Sequence, residues 1–187
     1  MANLRLADGA SLQLRPLEPR DGALLVKLFY RLSPETVYRR FLSPLPDPYR
    51  PEMRRLLDLD HRDREALAAI SDGEVVAVAR YARDANDPRT AEIAIVVEDG
   101  WQHRGLGRSL TRRLAALARR RGIASFHAIM LGDNRAAARL LRGLSSAARF
   151  RWSTGELEAD VPLRPLTAVL TGSGLPRIDH RSAPGPR

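Results

Sequence analysis

Residues 90–122, TAEIAIVVEDGWQHRGLGRSLTRRLAALARRRG, decide the fold of this chain. Residues 90–97 are an apolar, β-branched run of the length of a strand, which predicts a strand. Residues 104–121 predict a helix, because leucines recur there at helical spacing: Leu106, Leu110, Leu114 and Leu117. A short polar loop joins the two elements.

Gly105 and Gly107 lie where this strand passes into this helix. The first backbone N–H groups of a helix have no partner within it and carry partial positive charge, so they attract phosphate. Glycine at this point lets a bulky anion approach the main chain closely. The turn therefore predicts a cradle for a pyrophosphate.

The composition is that of an ordinary globular protein. The chain has 187 residues, 44% hydrophobic and 28% charged, which is enough for one domain with a buried core. It has no cysteine, which excludes disulfides, cysteine-ligated zinc and a cysteine nucleophile. The first ten residues, MANLRLADGA, lack the apolar core of a secretory signal, and no apolar run approaches membrane-spanning length. We expect a cytoplasmic protein without a membrane partner.

The net charge of +9 raises the question of nucleic-acid binding. The excess is arginine, with Lys27 the only lysine, and the arginines are spread along the chain. Aromatic residues make up only 5%, too few to interleave with the cations as base-stacking platforms. We therefore do not expect nucleic acid as the main partner. The four histidines lack metal-ligand spacing, so we expect no metal site.

The remaining pattern predicts an α/β protein of the α+β type, with a mixed, mostly antiparallel sheet flanked by helices. Asp72-Gly73 is a hairpin signal between two apolar runs, so three consecutive strands form an antiparallel meander. A helical crossover follows, and the strand after it is parallel to the strand at residues 90–97. The predicted strands are residues 11–14, 65–70, 74–81, 90–97, 125–130, 148–153 and 156–161. The other predicted helices are residues 21–32, one beginning at Ser33-Pro34-Glu35, a short one at 51–57, and 135–144 after Asp133-Asn134.

Composition also divides the chain. Residues 1–10 are predicted as an N-terminal extension and residues 11–163 as the domain. Residues 164–187, rich in Pro, Gly, Ser, Arg and Thr, are predicted as a flexible tail. Residues 43–48, SPLPDP, cannot form regular structure and are predicted as a loop.

With its glycine turn, this order of elements resembles the GNAT superfamily of acetyl-CoA-dependent N-acetyltransferases. The resemblance is carried by Gln102-His103-Arg104-Gly105-Leu106-Gly107, which matches the Gln/Arg-x-x-Gly-x-Gly/Ala motif of that superfamily in its expected place. A dinucleotide-binding fold is the rival, but it needs a third glycine, where this chain has Leu110. It also needs an acidic residue after the next strand, and none comes before Asp133.

The resemblance implies the GNAT acyl-CoA N-acyltransferase fold, with acetyl-CoA as cosubstrate. It implies that backbone amides from Gln102 to Ser109, which include Arg108, hold the pyrophosphate. It further implies that the strand edge at Val96 and Val97 pairs with the pantetheine arm. Asn134 is implied to contact the cofactor, to cap its helix, or to do both.

A closer resemblance is to the bacterial Pat-type protein lysine acetyltransferases. It is carried by residues 31–41, RLSPETVYRRF, by Asp58-Leu59-Asp60 before Arg64-Glu65-Ala66-Leu67, and by Ala91-Glu92-Ile93-Ala94. It implies a protein lysine as the acceptor and a catalytic glutamate at Glu92.

Acetyl transfer to an amine requires a base, since a lysine ammonium has a pKa of about 10.4. Glu92 is the candidate, against the alternative of a solvated strand residue. Glu98 and Asp99 are explained by capping or turn formation. Many GNAT members also have a tyrosine on the last helix that protonates the thiolate. This chain has Leu140-Leu141-Arg142 there, and a thiol with a pKa of about 8.5 is a tolerable leaving group unaided.

Two other functions stay open at this point. One is a small-molecule amine acetyltransferase, and the other is a catalytically idle acyl-CoA-binding regulator. The sequence does not distinguish a monomer from a dimer.

Overall fold

In the computed structural model, which describes residues 2–42 and 55–163, the strands form one eight-stranded sheet. Its order is β1-β2-β3-β4-β5-β6-β8-β7. All neighbours are antiparallel except β5 and β6, which are parallel. The strands are β1 (Ala2–Arg5), β2 (Ser11–Pro16), β3 (Arg64–Ser71), β4 (Glu74–Arg83), β5 (Thr90–Val97), β6 (Ser125–Leu131), β7 (Arg149–Ser153) and β8 (Glu156–Pro162). The predicted mixed, mostly antiparallel sheet is confirmed.

The hairpin between β3 and β4 turns at the predicted dipeptide. Asp72 has a φ of 50° and Gly73 a φ of 79°, the two positive values that a type I′ turn requires. The turn thus sets the meander that leads into β5.

Among the described residues, four α-helices flank the sheet: α1 (Gly22–Arg31), α2 (Pro34–Phe41), α3 (Leu106–Arg120) and α4 (Arg135–Leu144). Ser33 caps α2 by accepting the Thr36 N–H, and Asn134 caps α4 by accepting the Ala137 N–H. Short 3-10 turns lie at Pro19–Asp21, Arg55–Leu57 and Asp99–Trp101. No helix within the described ranges is both long and apolar enough to cross a membrane.

The helices divide between the two faces of the sheet. Leu106, Leu110 and Leu114 of α3 pack on one face, together with Leu141 of α4. On the other face, Leu28 of α1 packs against small and branched side chains of β3 and β4. Each face therefore has its own apolar core.

The structure adds one strand to those predicted. Residues 1–10 are predicted as an extension outside the domain, but Ala2–Arg5 forms β1 and pairs with β2 in the register Ala2↔Leu14 to Arg5↔Ser11. A tight turn closes the hairpin, in which the Leu6 N–H donates to the Ala10 carbonyl. Four residues at a sheet edge are too short a pattern to be distinguished in the sequence.

Several expectations fall wholly or partly outside the described residues. These are the loop at residues 43–48, most of the short helix at residues 51–57 and the tail at residues 164–187.

Candidate active site

The central feature of the site is the separation of β5 from β6. The two strands pair only where residues Thr90, Ala91 and Glu92 face Ser125, Phe126 and His127. Beyond that point β5 stays paired with β4 as far as Val97, and β6 stays paired with β8 as far as Leu131. A gap therefore opens in the middle of the sheet, and it widens toward the start of α3.

A groove of ≈ 490 Å³ leads into this gap. Its walls are the end of β5, the turn before α3, the start of α3 and one side of α4. Five side chains that are or can become cationic line it: Arg39, Arg40, His103, Arg108 and Arg139. None of its described lining residues is acidic. Such a groove favours an elongated ligand with several negative charges.

The turn at the mouth of the groove has the geometry of an anion site. His103 and Gly105 have positive φ values of 59° and 82°, and α3 begins at Leu106. The first N–H groups of α3 therefore point out of the helix toward the groove. A Cβ on Gly107 would lie 3.6 Å from Ile95 Cδ1 and 3.7 Å from Val97 Cγ2, an ordinary contact. Packing against β5 thus does not require glycine at 107, and the missing side chain leaves the main chain there open to close approach from the groove.

Most of the residues expected at the cofactor come together along this groove. Those that line it are Val96, Val97, Gln102, His103, Gly105, Leu106, Gly107, Arg108 and Asn134. Arg104 and Ser109 do not line it. The Arg104 guanidinium pairs with Asp8 and lies 4.3 Å from the centroid of the Trp101 ring. The Ser109 N–H already donates to the Gly105 carbonyl, at 3.1 Å.

Two polar side chains in the groove are held by the protein itself. Gln102 Nε2 donates to the Val97 carbonyl and to Thr36 Oγ1, each at 3.1 Å. Asn134 Oδ1 accepts the Ala137 N–H at 3.1 Å. Both side chains therefore shape the groove, and their remaining polar atoms are what a ligand can use.

Asp99 fixes α2 beside the groove. Its carboxylate accepts from the Ser33 N–H at 2.8 Å and from the Ser33 and Thr36 hydroxyls, each at 2.7 Å. Burial raises the pKa of Asp99, but these hydrogen bonds more than offset that and bring it below its ordinary value. These bonds account for Asp99 without a catalytic role, although the side chain that caps α2 is Ser33 and not Asp99. Glu98 pairs with Arg31 at 3.1 Å, which also accounts for it without chemistry.

Glu92 lies at the inner end of the gap. It is exposed and lines a second cavity of ≈ 280 Å³ between β5 and β6. Six residues line both this cavity and the groove, so the two spaces adjoin: Arg39, Arg40, Ile95, Asn134, Ala137 and Leu140. A ligand that follows the groove into the gap would therefore end beside the Glu92 carboxylate.

Sequence reasoning missed three arginines of the site. Arg39 and Arg40 come from the end of α2, and Arg139 from the second turn of α4. In the sequence, Arg39 and Arg40 stand out only as part of the subfamily pattern at residues 31–41. The position of a cation on an amphipathic helix does not show whether it faces a groove. Within residues 2–42 and 55–163, no group of three or more acidic, His or Cys side chains could hold a metal ion.

The strand order, the gap and the basic groove with its glycine turn are those expected of an acyl-CoA-dependent transferase. Residues 34–144 match the Acetyltransferase (GNAT) family. The chain therefore belongs to the GNAT acetyltransferase family.

Relatives support this assignment. The chain is 30% identical over 168 residues to Acetyltransferase Pat of Mycolicibacterium smegmatis, covering 89% of this chain but 50% of that protein. It thus spans half the length of this relative. It is 32% identical over 135 residues to Acetyltransferase PA5475 of Pseudomonas aeruginosa, covering 70% of this chain and 72% of that protein. Among solved structures, the GNAT domain of S. lividans PAT matches with a TM-score of 0.79 at 30% identity, over 87% of this chain and 96% of that one.

Proposed function

We propose that this chain transfers an acetyl group from acetyl-CoA to a primary amine, the side chain of a protein lysine, with Glu92 as the general base. One observation carries the proposal. The only described carboxylate that lines the cavity in the gap is Glu92, and this cavity adjoins the basic groove.

The groove residues have a binding role in this proposal. The N–H groups at the start of α3 hold the pyrophosphate together with Arg108 and Arg139, the two arginines that line the groove but not the cavity in the gap. The edge of β5 at Val96 and Val97 orients the pantetheine arm toward the gap. Acetyl-CoA supplies an acyl group activated as a thioester.

In this proposal, Glu92 removes a proton from the ammonium group of the acceptor. A lysine ammonium has a pKa of about 10.4, so almost none of it is nucleophilic at neutral pH. An exposed carboxylate beside the gap accepts a proton from the ammonium, directly or through one water, and returns it to solvent. The neutral amine then attacks the acyl carbon, and the C–S bond breaks.

The protein lysine is proposed on two grounds. The chain is similar to the Pat proteins in the regions of α2 and β5 as well as in the glycine turn. The Glu92 carboxylate is also exposed, so that a side chain presented by another protein can reach it.

The decisive assay measures thiol release from acetyl-CoA with lysine-bearing proteins and, in parallel, a panel of small amines. Modified lysines are located by mass spectrometry. We expect turnover with protein lysines, and we expect Glu92→Gln to lower kcat by about 10²–10⁴-fold, the usual contribution of a general base. Glu156→Gln is the matched control, since Glu156 lies on a strand but lines neither cavity. Full turnover by Glu92→Gln would remove the base assignment, and turnover with small amines alone would remove the lysine assignment.

One observation favours a second candidate. Leu140 lines both cavities on α4, so this position offers no hydroxyl to protonate the departing thiolate. A catalytically idle acyl-CoA-binding regulator would fit this feature. It predicts binding of acetyl-CoA, measured by calorimetry, with no thiol release for any acceptor.

A further inference from the structure

Two arginines line the same cavity on the α1/α2 face of the sheet. Arg40 is on α2, and Arg80 is on β4 directly opposite Ala94 of β5. Neither is exposed. Among the described residues, no carboxylate forms an ion pair with either guanidinium, and Glu92 and Asp58 act on them only from a longer range.

This arrangement is costly in the free protein. Burial lowers the pKa of Arg40 to about 10, and the neighbouring charge of Arg80 adds to this effect, while Glu92 opposes it. Burial likewise lowers the pKa of Arg80. A guanidinium stays charged in proteins, so it cannot escape the penalty by losing its proton. Two like charges that have no ion pair among the described residues, and only Glu92 and Asp58 at longer range, favour the binding of an anion.

Arg40 and Arg80 both contribute to the lining of one small cavity, which is mostly apolar. It measures ≈ 60 Å³ and lies between the helices α1 and α2 and the sheet. Apart from the arginines its walls are apolar, among them Leu28, Phe29, Val78 and Val96. A fitting occupant has methylene groups for these walls and a negative end for the cations.

The cavity is next to the reacting end of the site. Arg40 lines the small cavity, the groove and the cavity in the gap. Ala94 lines the small cavity and the cavity in the gap. Arg80 lines the cavity alone. Alternation along β4 and β5 puts Arg80 on the same sheet face as Glu92, because Ala82 is directly opposite Glu92. An acyl group that enters the gap from the groove can therefore extend past Arg40 toward Arg80.

We propose that Arg40 and Arg80 bind a carboxylate at the far end of the acyl group, so that the chain accepts short dicarboxylic acyl-CoA thioesters. The inference rests on the proposed acyl transfer. The amine nitrogen bonds to the acyl carbon, the C–S bond breaks and the thiolate leaves. Of the two protons lost by the acceptor ammonium, one passes through Glu92 to solvent and the other ends on the thiol. The distal carboxylate is unchanged.

The test compares succinyl-CoA with butyryl-CoA, which has a methyl group where the carboxylate would be. Calorimetry gives the dissociation constants without any acceptor, so the result does not depend on the roles of Glu92 or a lysine. We expect succinyl-CoA to bind at least about tenfold more tightly, as a charge-assisted hydrogen bond provides. Equal binding, or tighter binding of butyryl-CoA, would overturn the proposal even if the protein failed to tolerate any substitution.

Variants then test which residues bind the carboxylate of succinyl-CoA. Arg80→Gln is expected to bring the ratio of the two dissociation constants close to one. The matched control is Arg113→Gln, since Arg113 is exposed on α3 and lines none of these cavities, and it is expected to keep the wild-type ratio. An unchanged ratio in Arg80→Gln would contradict the assignment.

A further experiment tests whether the carboxylate that binds the two arginines is part of the acceptor and not of the acyl group. Acetyl-CoA is combined with free lysine and with lysine amide. A ratio near one between the dissociation constants of butyryl-CoA and succinyl-CoA would overturn the donor assignment. If the wild type also preferred free lysine, and Arg80→Gln abolished that preference, the bound carboxylate would be that of the acceptor. Preferential binding of succinyl-CoA without any transfer to lysine would uphold this inference while removing the proposed function.

Discussion

Glu65 and Glu92 lie on the two strands that flank β4, in opposite surroundings. Glu65 on β3 is 3% exposed at its side chain and accepts from Arg121 Nη1 at 2.8 Å and from the Ala66 N–H at 3.1 Å. It also pairs with His61 Nδ1 at 2.8 Å. Glu92 on β5 is exposed, and no ion pair to it is found in the part of the chain that the structure describes.

The difference separates two uses of a strand carboxylate. A buried carboxylate must be fully paired, because an unpaired one would cost several kcal/mol, about 3–5 when a partner is removed. Glu65 meets this condition, so its bonds hold β3 to the end of α3. Glu92 keeps its lone pairs available, which is what proton transfer requires.

The largest effect is expected for Glu92→Gln, in which activity and stability are measured on the same variant. Glu92→Gln should lower kcat by about 10²–10⁴-fold because the base is lost. Its free energy of unfolding, measured by urea titration, should stay within about 0.5 kcal/mol of wild type, as for other exposed sites. A large loss of stability would show that Glu92 is held by the fold after all.

The converse is expected for Glu65→Ala. Removing the carboxylate leaves the Arg121 guanidinium without its charged acceptor, with only the Tyr81 hydroxyl still accepting from Arg121 Nη1, so the free energy of unfolding should fall by about 3 kcal/mol. Turnover measured well below the unfolding transition should change little. Glu158→Ala is the control, because its partner Arg151 is 72% exposed and such pairs contribute about 0–1 kcal/mol. A loss of kcat in the folded Glu65 variant as large as that of Glu92→Gln would erase the distinction.

Asp99→Ala removes a carboxylate beside the groove that is hydrogen-bonded to Ser33 and Thr36. The loss of its three hydrogen bonds to Ser33 and Thr36 should cost about 1–2 kcal/mol in stability. Because α2 carries Arg39 and Arg40, the KM for acetyl-CoA should also rise. Asp87→Ala removes a similar turn carboxylate, bonded to Arg89 and Thr90, and should lower stability without changing KM. Equal KM values in the two variants would contradict the link between Asp99 and the groove.

The smallest effect concerns Asp60, a paired carboxylate on the surface. Burial raises its pKa, but N–H groups of Arg64, Arg62 and Asp63 lower it to about 2. Because the unfolded pKa is about 3.9, the folded state gains stability above that pH and loses it as the pH falls through about 2. The side chain is 41% exposed, so the gain should stay below about 1 kcal/mol. Unfolding midpoints of wild type and Asp60→Asn should converge from pH 4 to pH 2, and a constant difference would be inconsistent with this cause.

Much of the fold was predictable because local patterns agree with the final packing. The apolar runs of β3 and β4 and the turn at Asp72-Gly73 predict the meander, and the crossover helix α3 predicts a parallel neighbour for β5. The edge strand β1 was not predicted, since its four residues carry too short a pattern.

The site was predictable only in part. The glycine turn indicates a phosphate cradle because backbone geometry follows from residue type. The position of Arg39 and Arg40 depends instead on the seating of α2, which Asp99 fixes from 63 residues away along the chain through its bond to Thr36. The surroundings that distinguish Glu92 from Glu65 are likewise tertiary. Arg121, which neutralises Glu65, is 56 residues distant in sequence.

The gap between β5 and β6 also has a mechanical consequence. Only three residue pairs join the two halves of the eight-stranded sheet across its middle. Backbone pairing across this seam is therefore sparse, although one apolar core packs on both halves, and a ligand seated along β5 would add contacts between them. Amide protons of the unpaired edge of β5 should exchange with solvent readily in the free protein and slowly in the liganded one.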